Sequence, residues 1–173
     1  MTHQTPMPGS KAPAIEARDA TGQPFHAPAS ADARMAVTFF YRGVHCPICK
    51  TQIEDLAARQ SEFRDLGVDV AAVSMDDDDR FARQQAEWNL GDLPVAHAMT
   101  EASAREWGLF ISDKAQDSEP ARFAEPGIAV TYPDGRIYSL YFQNVPFARP
   151  TLDDLLKGLG FILKKDYPIR GTA

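Results

Sequence analysis

Met35-Ala36-Val37-Thr38-Phe39-Phe40-Tyr41-Arg42-Gly43-Val44-His45-Cys46-Pro47-Ile48-Cys49 reads as a buried strand, a short loop and the opening of a helix. Residues 35–41 are nearly continuous in apolar character, the pattern of a strand covered on both faces. Arg42, Gly43, Val44 and His45 interrupt it. Pro47 then suits the first helical turn, where a backbone N–H would have no partner anyway. Ile53, Leu56, Ala57, Phe63 and Leu66 recur at helical spacing as far as Gly67.

Towards the N-terminus, residues 1–12 read as a loose tail. Residues 14–18 and 23–26 flank the turn-rich Asp19-Ala20-Thr21-Gly22 and read as a small β-hairpin, followed by a loop over 27–34. Towards the C-terminus come a buried strand over 68–74 and a helix opening at residues 76–79, with Phe81, Gln85 and Trp88 along it. A short strand over 93–99, a short helix ending at Trp107 and a polar loop over 113–125 follow. Strands over 127–132 and 136–142 enclose the tight turn Pro133-Asp134-Gly135, a hairpin. The last helix covers 151–164, capped by Thr151, with Leu152, Leu155, Leu156, Leu159 and Ile162 as its buried stripe. The order β-α-β-α, then β-β-α, predicts an α/β fold with a mixed central sheet flanked by helices and an N-terminal β extension. Residues 13–173 are expected to form a single domain.

Bulk properties narrow the function. The chain has 173 residues, 44% of them hydrophobic, enough for one sizeable core. The net charge of −6 argues against nucleic-acid binding, which needs clustered cations. No apolar run approaches the length that spans a bilayer, and no basic-then-apolar leader is visible, so a cytoplasmic location is the expectation and no membrane partner is expected. Asp76, Asp77, Asp78 and Asp79 read as helix caps and first-turn anions rather than as a metal site, because the ligand spacing of a calcium loop is missing.

The two cysteines of the chain, Cys46 and Cys49, stand three residues apart. A disulfide scaffold needs more of them, spread more widely. A thiol at a helix N-terminus lies beside unpaired N–H groups and the positive end of the dipole, which lowers its pKa. Cys46 has that position, and Cys49 follows one turn later on the same face, within reach for a disulfide. Cys46 is then the attacking thiolate and Cys49 the resolving one. Half of a zinc or iron site, or two inert core residues, are the competing readings; the first lacks two further ligands in the sequence nearby. His45 reads either as a nearby cation that stabilises the thiolate or as a surface loop residue. Arg42 reads as a second cation or as a solvated charge. Pro126, at the entry to the 127–132 strand, is a candidate cis proline that brings backbone close to a neighbouring loop.

The segment from Phe39 to Cys49 resembles the redoxin family of alkyl hydroperoxide reductase and thiol-specific antioxidant proteins. It is most similar to their peroxiredoxin-like branch, with its Tyr-Arg-Gly-x-x-Cys-Pro-x-Cys signature. Ala124-Glu125-Pro126-Gly127, Tyr132-Pro133-Asp134-Gly135, Pro146-Phe147-Ala148-Arg149-Pro150 and Tyr167-Pro168-Ile169-Arg170-Gly171 extend the resemblance over nearly the whole chain after residue 10. It implies a thioredoxin-like fold, with Pro126 in the place of the superfamily's cis proline. It also implies an external thiol reductant of thioredoxin or glutathione type, no bound cofactor, and pairing into a homodimer. The chain departs from the family's usual pattern at Phe39, where a proline is usual, and at Gly43, where a Thr or Ser hydroxyl is usual. The usual arginine near position 126 is replaced; Arg42 or Arg149 stands in for it only from a different position.

The expectation is therefore a thiol–disulfide oxidoreductase that works through Cys46 and Cys49, supported by Pro47, Pro126, Arg42 and His45. The alternatives are an antioxidant thiol peroxidase acting on hydrogen peroxide or organic hydroperoxides, and a non-enzymatic redox sensor.

Overall fold

Alternation along the strands sorts the apolar side chains onto two faces of one sheet. The structure, a computed structural model, describes residues 4–173. Its elements are β1 (Met35–Phe40), α1 (Pro47–Ala58), α2 (Gln60–Asp65), β2 (Val68–Val73), α3 (Asp78–Glu87), β3 (Val95–Ala96), α4 (Glu101–Glu106), β4 (Ile111–Asp113), β5 (Arg122–Ala124), β6 (Gly127–Thr131), β7 (Ile137–Phe142) and α5 (Leu152–Lys165). The five-stranded sheet has the order β3-β2-β1-β6-β7. β1 pairs parallel with β2, which pairs parallel with β3. β1 pairs antiparallel with β6, which forms a hairpin with β7. The mixed sheet is thus parallel across helical connections and antiparallel at the hairpin, as expected.

On one face, Val37 and Phe39 of β1, Val70 of β2 and Val130 of β6 share a core with Ile53 and Leu56 of α1, Phe63 of α2, Phe81 of α3 and Leu155 and Leu159 of α5. On the other, Phe40, Ala71, Val73 and Ala129 pack with Ala104, Trp107 and Phe25. The odd and even residues of β1 thus enter different cores, which is why its sequence is apolar throughout rather than alternating. With its sides covered by β2 and β6, β1 ends in a fixed place, and the chain that leaves it carries Cys46.

Several expectations need correction. The helix expected to run to Gly67 breaks at Arg59, whose backbone leaves helical geometry (φ −110°, ψ 14°), so α1 and α2 are separate. The apolar spacing hides the break because Phe63 still faces the core. The strand expected over 93–99 shrinks to Val95–Ala96. The polar stretch over 113–125 holds β5, which pairs with β4 as a small second sheet. The N-terminal extension is bridged chain rather than a hairpin ladder. Arg18 bridges Pro24, and it also exchanges N–H···O bonds of 2.9 Å with His97 in both directions. The loose tail also ends sooner than residue 12. The Gly9 N–H donates to the Ile137 carbonyl (2.8 Å), the Ile137 N–H donates to the Ser10 carbonyl (2.9 Å), and the Ala12 N–H donates to the Gly135 carbonyl (2.8 Å). The free edge of β7 and the turn before it supply these partners. Residues 1–3 of that tail lie outside the described residues. No helix among the described residues is long and apolar enough to cross a membrane.

Candidate active site

The turn between β1 and α1 is built from hydrogen bonds to its own backbone and to one distant carboxylate. The Cys46 N–H donates to the Gly43 carbonyl (3.1 Å), and the Val44 N–H donates to Oδ2 of Asp76 (2.7 Å). Cys46 is the N-cap of α1, with extended backbone (φ −102°, ψ 104°), and Pro47 is the first helical residue. The Cys46 Sγ accepts the N–H of Cys49 at 3.2 Å, the role an N-cap oxygen usually plays. Both cysteines are reduced and buried, at 2% and 0% exposure.

A third group reaches the sulfurs from the loop between β7 and α5. Arg149 donates through Nη2 to the Cys49 Sγ at 3.1 Å and lies 3.8 Å from the Cys46 Sγ. Its other nitrogens are held by the Gln52 Oε1 of α1 (2.6 Å) and the Pro146 carbonyl (2.8 Å). The planar fork is thus fixed on both sides before it meets sulfur. Ala148, just before it, adopts a left-handed backbone (φ +55°).

These contacts split the two thiols. Cys46 is lowered to a pKa of about 6, chiefly by the hydrogen bond from the Cys49 thiol. Burial opposes the shift, and the Cys49 N–H, Arg149 and Arg42 add to it, in that order. Cys49 is pushed well up, first by burial and then by its hydrogen bond to Cys46. Near neutral pH the arrangement holds a thiolate at Cys46 and a protonated thiol at Cys49. That is the pairing an attacking and a resolving sulfur require.

The other expected site residues are placed differently. His45 packs edge-on against Phe123, with centroids 4.9 Å apart, and its pKa falls to about 4, first through burial and then through the charge of Arg42. It is neutral at neutral pH and supplies no cation to Cys46, which corrects that reading. Arg42 is not a solvated charge. It pairs with Glu119 (3.0 Å) and Glu125 (3.2 Å), each carboxylate side chain only 5% exposed, and stacks 4.7 Å over Phe123. The Glu119 carboxylate also accepts the N–H groups of Ala115 and Gln116 at 2.8 and 2.9 Å, which clamps the loop before β5 onto Arg42. Pro126 lies where β6 begins, beside the last residue of β1, with Phe40 paired to Gly127. The Glu125–Pro126 peptide is trans, so the resemblance to the superfamily's cis proline fails on this point. Among the described residues, no group of three or more His, Cys, Asp or Glu side chains is arranged to hold a metal ion.

Sequence reading alone did not connect Gln52 or Asp76 to the cysteines. Asp76 stands at the head of an acidic run in which Asp77 caps α3 and Asp78 and Asp79 occupy its first turn. Asp76 itself is 2% exposed and turned towards the Cys46 turn.

The model of the AhpC/TSA family matches residues 8–139. The chain is 27% identical over 163 aligned positions to the chloroplastic 2-Cys peroxiredoxin BAS1 of Spinacia oleracea, covering 89% of this chain and 58% of that protein. The chain thus spans little more than half the length of that curated relative. The crystal structure of a peroxiredoxin-like protein from Aquifex aeolicus superposes with a TM-score of 0.71 at 17% identity, over 92% of this chain and 89% of that one. Reduced 2-Cys peroxiredoxin of Plasmodium vivax superposes with a TM-score of 0.69 at 15% identity, over 93% and 84% of the two chains. At such identities the superpositions show a shared thioredoxin-like fold.

Proposed function

The chain belongs to the AhpC/TSA family, and from that premise we propose that it is a thiol-dependent peroxidase that cycles a Cys46–Cys49 disulfide. The observation that carries the reading is the Arg149 guanidinium, fixed by Gln52 and Pro146 and set beside both sulfurs. A peroxide reacting at Cys46 develops negative charge on its departing oxygen, and a pre-positioned cationic donor stabilises that charge. Burial of Cys46 to 2% exposure also favours a small oxidant over a protein disulfide.

The steps balance as follows. The Cys46 thiolate attacks one peroxide oxygen, the O–O bond breaks, and the departing oxygen takes a proton from solvent. Cys46 becomes a sulfenic acid. The Cys49 sulfur then attacks Cys46, a water molecule leaves, and the disulfide closes. An external dithiol, or two monothiol molecules, restores both thiols by exchange and leaves as a disulfide. The reductant class fits a thioredoxin- or glutathione-type donor.

A second reading, disulfide exchange without peroxide, is favoured by one observation: the two cysteines occupy the N-cap and first turn of one helix, where a disulfide opens and closes with little backbone movement. Rapid mixing of the reduced protein with one equivalent of hydrogen peroxide separates the two. Thiolate loss far faster than in an ordinary thiol of the same pKa is the expected result. A rate equal to that of a free thiol would sink the peroxidase reading and leave disulfide exchange.

A further inference from the structure

We propose that Asp76 is a positioning residue for Cys46. Its carboxylate fills the space that a side chain at position 43 would occupy, and it fixes the turn that delivers Cys46 to the start of α1. The inference rests on Cys46 being the reactive thiol.

The geometry is close on both sides of the carboxylate. A Cβ at Gly43 would lie within about 2.6 Å of the two Asp76 oxygens, well inside contact distance, and the Gly43 backbone is left-handed at φ +126°. One residue on, the Val44 N–H donates to Oδ2 at 2.7 Å. Two residues further, the Cys46 N–H closes the turn on the Gly43 carbonyl at 3.1 Å. The carboxylate therefore touches the first residue of that turn and hydrogen-bonds the second. Asp76 is itself anchored: its N–H donates to the Ser74 Oγ at 3.3 Å, and its carbonyl accepts the Ala98 N–H at 2.7 Å.

Nothing else in its surroundings explains an aspartate. It is 2% exposed, and its Oδ1 has no hydrogen-bond partner among the described residues. Arg80 and Arg83 of α3 and Asp77 beside it act on it through their charge, and its own charge raises the pKa of Tyr41, the residue after β1. Burial pushes its pKa up to about 6, with the Val44 N–H opposing. A buried carboxylate with one hydrogen bond is a destabilising choice for a loop. The bond it does make goes to the turn that carries Cys46.

The test reads Cys46 directly, as the pH profile of its alkylation by iodoacetamide, with the modified peptide identified by mass spectrometry. Asp76→Ala removes both the contact and the hydrogen bond, whereas Asp76→Asn keeps an oxygen for the Val44 N–H. Loss of the turn loosens the N-cap geometry that stabilises the thiolate. In Asp76→Ala the alkylation midpoint is expected to rise by about one pH unit, with the rate falling roughly tenfold below about pH 5 and about twofold at about pH 7. Asp76→Asn is expected to stay within about half a unit of the wild type. An unchanged profile in Asp76→Ala overturns the proposal, and so does an Asn variant as impaired as the Ala variant. If Asp76→Ala does not fold, Gly43→Ala sets a Cβ against the carboxylate, in addition to the backbone strain at φ +126°, and is expected to raise the midpoint in the same direction; no change there overturns the proposal. Where both fold, the effect of Gly43→Ala must be smaller in the Asp76→Ala background, because the added Cβ no longer meets a carboxylate. Alkylation needs no peroxide, so a protein inert to peroxide that still shows these shifts would refute the peroxidase reading and leave this one standing.

Discussion

Arg149 and Cys49 are 100 residues apart in the chain and 3.1 Å apart in the fold, joined by a charge-assisted N–H···S contact. Arg149→Ala removes the donor that faces both sulfurs. Its loss is expected to raise the Cys46 midpoint by about one unit and to slow the reaction with peroxide by 10- to 100-fold, roughly the range for losing one charged donor at a site of developing charge. Arg149→Lys keeps the charge without the planar fork. It should recover the midpoint better than the peroxide rate. Ultraviolet thiolate absorbance and rapid mixing measure the two separately.

Removing the partner thiol has its own signature. The hydrogen bond from Cys49 is the largest cause of the depressed Cys46 pKa. Cys49→Ala is therefore expected to raise the Cys46 midpoint and to remove the internal resolution step. Cys49→Ser should be unable to close the internal disulfide and, with a monothiol reductant, should accumulate a mixed disulfide at Cys46, visible as a mass increase in mass spectrometry. Cys46→Ser should abolish turnover; full activity in that variant would invalidate the assignment of roles.

Asp76 and His45 give stability opposite dependences on pH. The carboxyl of Asp76 has a folded pKa of about 6 against 3.8 unfolded, so the folded state binds the extra proton and stability rises as pH falls through that window. His45 has a folded pKa of about 4 against 6.5 unfolded, so the unfolded state takes the proton and stability falls over nearly the same window. Each effect is of order 3 kcal/mol when complete. In the wild type these two contributions should largely cancel in the urea midpoint between about pH 4 and 6, with the carboxylates held low by their partners, such as Glu119, drawing it down at the acid end. Asp76→Asn should be more stable at neutral pH but lose stability on acidification. His45→Phe, which preserves an aromatic contact with Phe123, should gain stability on acidification. Parallel profiles in the two variants would contradict the assignments.

Arg42 is structural in weight and electrostatic only at a distance. Its removal leaves Glu119 and Glu125, both 5% exposed, without their shared cation. Arg42→Ala is expected to lower stability by about 3–5 kcal/mol, the range for breaking a buried pair. It should move the Cys46 midpoint less than Arg149→Ala does, since Arg42 is the smallest of the contributors to that thiol. Chemical denaturation and thiolate titration on the same samples check both statements.

The parts of the molecule legible in sequence are those governed by local pattern. The apolar run of β1, Pro47 at the first turn of α1 and the leucine stripe of α5 each announce themselves within a few residues, and they put the cysteines at a helix start. What escaped was non-local or depended on burial. Arg149 lies in a loop whose composition says nothing of its target, so the sequence offers it only as an arginine outside the usual family position. Asp76 is indistinguishable by residue type from Asp77, Asp78 and Asp79, yet it alone of the four is buried. His45 has the residue type of a cation beside Cys46 and the environment of a neutral ring. The alternating Ile111-Ser112-Asp113 is too short and polar to read as a strand until β5 pairs with it. Arg59 breaks a helix without disturbing the apolar rhythm around it.

The position of Arg149 also sets a timetable for synthesis. The ribosome delivers Cys46 103 residues before the guanidinium that lies beside it. Gly127 of β6, which pairs with the last residue of β1, also arrives late. Throughout that interval the nascent chain carries two thiols whose electrostatic setting is incomplete. On the role proposed for Arg149, the cysteine pair reaches its full reactivity only once residue 149 has been made, so a chain cut short before it has both sulfurs and lacks the cation beside them.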